Sequence, residues 1–227
     1  MSAALLATLG AATLAAGGFG LRREAKAERN RRLHALDDCL DLVERPSTAV
    51  HDSGYAILRG RFRGYDVALR PIPEQLVFRR LPQLWLLATL RTPTGGPETL
   101  DILRRPMGGE FFSIGESLPR SFPPPASWPQ DTAVRGSRDA GALIEHLGGP
   151  LGPVLTDDRV KTLTVTPNGV RAARRVRQGN RGAYLLFRDS RFGDLRIPRE
   201  DALAALELVF DLARLASQGD CDERRAA

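Results

Sequence analysis

Eight arginines in two short stretches are the residues of this chain best equipped for chemistry. Arg59, Arg61 and Arg63 fall in the first, and Arg171, Arg174, Arg175, Arg177 and Arg181 in the second. A guanidinium is planar, permanently charged and forked, so it offers paired N–H donors to the oxygens of a phosphate or carboxylate. If both stretches share a face, that face would bind an anionic headgroup, a nucleic acid or an acidic partner. The competing reading is a solvated surface neutralised by the many Asp and Glu. It asks less of the sequence, because the arginine bias is general: of 33 basic residues only Lys26 and Lys161 are lysines. Nucleic acid is not the expected partner. An RNA-binding strand interleaves stacking aromatics, and the second stretch has none before Tyr184.

Other residue types do not assemble into a reaction centre. The 3 histidines, His34, His51 and His146, have neither an i, i+4 partner nor Cys or carboxylates at ligand spacing, so no metal site is expected. His51-Asp52-Ser53 names the members of a hydrolase triad, but adjacent residues cannot converge as a triad must. No GxSxG elbow is present. Gly148-Gly149-Pro150-Leu151-Gly152 lacks the Lys-Ser/Thr of a phosphate loop, and its proline removes a backbone donor. Asp157-Asp158 reads as a turn before a strand. Cys39 sits beside Asp37 and Asp38, without the positive surroundings that activate a thiol. The expectation is a protein with no cofactor and no catalytic residue, leaning away from an enzyme.

The net charge of +6 is concentrated in one place. Residues 22–32 carry Arg22, Arg23, Lys26, Arg29, Arg31 and Arg32 against Glu24 and Glu28, a net of +4. They follow residues 2–21, which hold no charged side chain. Twenty helical residues rise about 30 Å, the thickness of the hydrocarbon core. Residues 1–21 are therefore expected to form a transmembrane helix. The basic residues after it place the remainder in the cytoplasm, at the inner membrane of a bacterial type of cell, with those six side chains at the membrane surface. A signal sequence with a periplasmic or envelope domain is the alternative. Ala3, Ala7, Ala11 and Ala15, beside the row Ala4, Thr8, Ala12, Ala16 and Gly20, could bring two such helices together as a homo-oligomer.

The elements that must position the arginines follow from periodicity. Residues 22–46 read as a basic juxtamembrane segment and an amphipathic helix, with Leu33, Leu36, Leu40 and Val43 as its apolar stripe and Pro46 as its stop. One domain spans 47–217, and 218–227 is a flexible tail. Residues 54–70 form a hairpin turning at Arg63-Gly64. Leu84–Leu90 is apolar throughout, the mark of a strand covered on both faces. Residues 99–104 and 110–114 are weaker strands. The proline-rich 119–129 is a stiff surface connection pinned by Trp128. A helix from Ser137 to Leu147 stops at Gly148-Gly149. Val160–Thr166, the turn Pro167-Asn168-Gly169 and a return strand over 170–177 follow, then a pair over 183–188 and 191–197. Pro198 opens a last helix, ended by Gly219. The fold class is α+β: a mostly antiparallel sheet with two or three helices on one face, preceded by the transmembrane helix. The expected role is binding of another protein or the membrane surface, with anionic-ligand or nucleic-acid binding by the arginine hairpins as the alternative.

Overall fold

The computed structural model describes residues 19–20, 22–74, 81–108, 110, 112–179 and 192–226. The apolar segment 2–21, with its rows of small residues, falls almost wholly outside them, as does the strand expected over 183–188. Among the described residues no helix is long and apolar enough to cross a membrane.

The chain is α+β, built on an antiparallel sheet. In chain order its described strands are β1 (Glu44–Val50), β2 (Ala56–Phe62), β3 (Tyr65–Pro73), β4 (Gln83–Arg91), β5 (Leu100–Arg104), β6 (Arg120–Phe122), β7 (Thr132–Gly136), β8 (Val160–Thr166) and β9 (Gly169–Gln178). They lie in the order β1-β2-β3-β4-β9-β8-β5-β7-β6, every neighbouring pair antiparallel. The helices are α1 (residues 22–33), α2 (Gly141–Thr156) and α3 (Arg199–Ala226), with 3-10 turns at Asp37–Leu42 and Gly115–Ser117.

Local chemistry explains the strands. Arg63 and Gly64 both take positive φ, 50° and 87°, so the two-residue β2–β3 turn matches the twist of its strands. β4 has its neighbours on both edges and apolar cover on both faces. Leu84, Leu86, Ala88 and Leu90 join the main core, while Trp85 and Leu87 join a smaller cluster on the opposite face with Ile72, Phe112 and Ala173. α3 begins after Pro198 with Glu200 and Asp201 in its first turn, where carboxylates oppose the positive helix end. It lies on β4 and β9 and buries Leu206, Val209 and Leu212. Each such side chain contributes about 1.5–3 kcal/mol, enough to hold the helix flat on the sheet.

Several expected boundaries move, each through a tertiary contact. The stripe Leu33–Val43 is not one helix: α1 ends at residue 33, a 3-10 turn follows, and Leu36, Cys39 and Val43 enter the core. Pro46 lies in edge strand β1, where a missing N–H need not break the ladder. Residues 110 and 112–114 form no strand. Glu110 and Phe112 are drawn onto the sheet face opposite the helices, Phe112 packing at a tilt against Trp85 with ring centroids 5.9 Å apart. α2 runs past Gly148-Gly149 to Thr156, with Pro150 and Pro153 inside it. The proline-rich segment packs on that helix: Trp128 is buried and donates from Nε1 to the Gly148 carbonyl at 2.7 Å. Residues 192–198 are irregular, and α3 continues through Gly219 to Ala226, so neither the strand over 191–197 nor the glycine stop is found.

Candidate anion-binding site

The helices cover one face of the sheet, and the other is partly open. Over β5, β7 and β8 the segment 105–119 folds down on it. Buried Asp101 there accepts from Thr164 Oγ1 at 2.7 Å and Ser113 Oγ at 2.5 Å. Lys161, 2% exposed, donates to Glu110 at 2.9 Å and to the carbonyls of Arg104 and Arg105 at 2.9 and 2.6 Å. Burial pushes the Glu110 carboxyl up. The Lys161 hydrogen bond, its charge and the Met107 N–H outweigh that and hold it below the usual carboxylate range. A small cavity of about 190 Å³ between Asp101, Ser113, Glu116 and Arg135 remains beneath the segment. Each oxygen of its buried carboxylate already accepts from a hydroxyl.

Over β2, β3, β4 and β9 the same face forms a trough of about 800 Å³. Strand register dictates its lining, because alternate residues along a strand share a face. Arg59 pairs with Ala68, Ala68 with Thr89 and Thr89 with Arg171, making one row across four strands. Arg61, Asp66, Arg91 and Gly169 make the next row by the same pairings. On the other side, Arg70 pairs with Leu87 and Leu87 with Ala173. Arg45 also lines the trough, turned by a β-bulge between Glu44 and Ser47 in which its own φ is 52°. The trough therefore gathers Arg45, Arg59, Arg61, Arg70, Arg91 and Arg171 around one acid, Asp66.

These cations are sparsely compensated. Arg61 donates to the Gly64 carbonyl at 2.6 Å and lies 3.8 Å from Asp66. Arg70 Nη1 donates to His51 Nε2 at 2.9 Å. His51 Nδ1 lies 3.0 Å from Ser53 Oγ and accepts from the Ser53 N–H at 3.1 Å. Burial, and then the charge of Arg171, hold the Arg70 guanidinium below its ordinary range. The guanidiniums of Arg45, Arg59, Arg91 and Arg171 have no ion-pair or hydrogen-bond partner among the described residues.

Of the arginines singled out in the sequence, Arg59, Arg61 and Arg171 meet here, and four others do not. Arg63 turns to the helix face, paired with Glu207 at 2.6 Å and stacked 4.8 Å over the Phe210 ring. Arg174 is paired with Asp157 at 3.1 Å and Arg175 with Asp158 at 2.6 Å. Arg177 lies 3.8 Å from Asp194, beyond a register shift in β9. Arg181 falls outside the described residues. The sequence reading missed Arg45, Arg70, Arg91 and His51. The Arg63-Gly64 turn fixes the β2–β3 register and so could have found Arg70; Arg91 and Arg171 require the long-range pairing of β4 with β9.

The basic set near the amino terminus lies on α1. Arg22, Arg23, Lys26, Arg29 and Arg31 are exposed. Arg32 docks the helix, pairing with Glu28 at 3.2 Å and lying 5.5 Å over the buried Tyr55 ring. Burial, with Asp38 and Asp41 beside it, pushes the Cys39 thiol up to about 11 against the opposing charge of Arg199, which makes it a poor nucleophile.

No family model matches the chain, and no curated protein matches it. Among solved structures it is similar to the crystal structure of the mycobacterial trehalose monomycolate transport factor A, TtfA, with 13% identity and a TM-score of 0.48 over 82% of this chain and 93% of that one.

Proposed function

We propose that this chain is a membrane-anchored binding protein whose α+β domain takes an anionic ligand in the arginine trough. One observation carries the reading: six arginines from β1, β2, β3, β4 and β9 converge on a concave face with a single acid among them. Folding stability disfavours such a gathering, since like charges repel and partly buried ones lose hydration. Forked donors around a concavity of this volume suit a small oxyanion ligand. The anchor is supported by the uncharged segment 2–21 and the basic residues after it, which also favour a cytoplasmic domain.

The test uses the full-length chain in a mild non-ionic detergent. Sulfate, phosphate and citrate are compared with chloride at equal ionic strength by thermal unfolding. A ligand at a hundred times its dissociation constant stabilises by about 2.7 kcal/mol. A rise in Tm that is lost in the Arg59→Gln/Arg171→Gln variant supports the reading; no rise with any anion overturns it. A cytoplasm-only fluorescent reporter and a periplasm-only phosphatase, fused in turn to the C-terminus, test the topology.

The exposed basic face of α1 favours a second, compatible role at the membrane surface. Each cation near an anionic leaflet contributes about 1 kcal/mol. Replacing Arg22, Arg23, Lys26 and Arg29 by Gln should release the chain from anionic vesicles if this contact matters, and leave it bound if it does not.

A further inference from the structure

We infer that the trough binds a diphosphate-bearing small molecule, clamped between Arg59 and Arg171 over Ala68 and Thr89, with its organic part along Ile57 and Leu87. This rests on the anion-binding reading and narrows it to one class of ligand.

Three features select that class. The first is charge: six arginines less Asp66 leave five positive charges in the trough, and a single carboxylate would leave most of them unanswered. A diphosphate brings about three negative charges and many acceptor oxygens in a compact group. The second is spacing. Arg59 and Arg171 stand at opposite ends of one row, three strand spacings or roughly 14 Å apart at the backbone. Forks anchored at both ends can grip two linked phosphoryl groups in the space above the row. The two residues between them, Ala68 and Thr89, are small and fill little of it. The third is the change of polarity along the trough. The Arg61–Asp66–Arg91 row closes one end. Ile57 and Leu87 flank Arg70 towards the other, where Leu87 belongs to the apolar cluster of Trp85 and Phe112. Inorganic pyrophosphate would leave that end unoccupied.

The occupant is read as a soluble molecule because the arginines line a concavity, whereas a bilayer surface contacts what protrudes. Calorimetric titration of the full-length chain in non-ionic detergent, with phosphate, succinate, pyrophosphate and isopentenyl diphosphate as probes, tests this. Both diphosphates should bind at least about tenfold tighter than phosphate or succinate. Isopentenyl diphosphate should bind severalfold tighter than pyrophosphate. Arg59→Gln and Arg171→Gln should each weaken diphosphate binding about tenfold, while Arg175→Gln, on the same face but paired with Asp158, leaves it unchanged. Far-UV circular dichroism reports whether each variant folds. Arg171→Lys keeps the charge without the fork, and decides the matter if the Gln variant does not fold: it should lose part of the affinity. Phosphate or succinate binding as tightly as pyrophosphate overturns the diphosphate assignment. Pyrophosphate binding tighter than isopentenyl diphosphate overturns the organic part. Phosphatidic acid vesicles captured through Arg171 while neither soluble diphosphate binds would move the phosphoryl group to a membrane lipid and overturn the inference. Failure of all these probes, and of sulfate and citrate, would instead remove the anion-binding reading itself.

Discussion

Arg70 and Arg171 carry like charge into one trough from adjacent cross-strand rows, two strands apart, with Leu87 and Thr89 of β4 between them. Burial first, and Arg171 second, disfavour the charged form of Arg70. The empty trough is therefore less stable than its packing alone would make it. Arg171→Gln should raise the stability of the unliganded chain by a few tenths of a kcal/mol up to about 1 kcal/mol, the range of cross-strand charge pairs. The gain should shrink as added salt screens the repulsion. Thermal unfolding at low and high salt measures both. A destabilised variant would mean that Arg171 serves the fold and not a ligand.

Glu110 and Lys161 tie the segment 105–119 to the sheet, with side-chain exposures of 8% and 2%. Glu110 is held below its ordinary value in the fold. Its contribution to stability is therefore fully present above the unfolded value near 4.3 and is lost as pH falls through the folded one. Lys161→Met should cost about 3–5 kcal/mol at neutral pH by stranding a buried carboxylate. It should also remove the acid-side loss contributed by the pair. Urea midpoints of wild type and variant between pH 3 and 7 would show a difference that narrows on acidification; a constant difference would contradict the pairing.

Tyr55 is fully buried, and its hydroxyl has no hydrogen-bond partner among the described residues. Tyr55→Phe should therefore be neutral or stabilising by up to about 1 kcal/mol, since it removes an unsatisfied polar group and keeps the ring. Burial pushes the phenol up to about 12, with nearby Arg32 opposing the rise. An unfolded tyrosine ionises near pH 10, so the wild type loses stability from about pH 10 towards 12, and the Phe variant loses less there. Loss of stability in Tyr55→Phe at neutral pH would mean that the hydroxyl is satisfied in solution.

Gly169 has φ of 145°, and a Cβ added there would stand 2.3 Å from the Leu90 carbonyl oxygen and 3.1 Å from Arg91 Cα. Gly169→Ala should cost about 1–3 kcal/mol in backbone strain, with the steric clash added to it. The contact is with backbone, which cannot move aside without shifting β4 against β9. Chemical denaturation measures the cost. Because Gly169 faces Arg91 at the charged end of the trough, diphosphate affinity should fall in the same variant.

Much of this architecture was legible before any coordinates. Arg63-Gly64, the unbroken apolar run of β4, and Pro198 followed by Glu200 and Asp201 are local statements, and each depends on φ preferences or burial that a residue carries with it. The boundaries that moved depend on contacts from afar. Gly148 and Gly149 stop an isolated helix, yet here the bare surfaces of Gly148 and Gly152 receive Pro125 and Ser127, and the helix goes on. Glu110 left its expected strand for the ammonium of Lys161, on a strand far along the chain.

The arginines divide in the same way. Their abundance, their alternation in β2 and the register of the first hairpin follow from the amino-acid sequence alone. So do the uncharged amino-terminal segment and the basic residues behind it. Which arginines share a face does not, because a strand's period of two is silent about its partner, and a slip of one residue turns every side chain over. Pairing of β4 with β9 placed Arg171 opposite Thr89 and so in line with Arg59, while it sent Arg174 to the helix face and Asp157. That pairing was chosen by the burial of Leu86, Ala88 and Leu90 beneath α3 on the far side of the sheet. The trough on the near side follows from it, as the face that the core did not use.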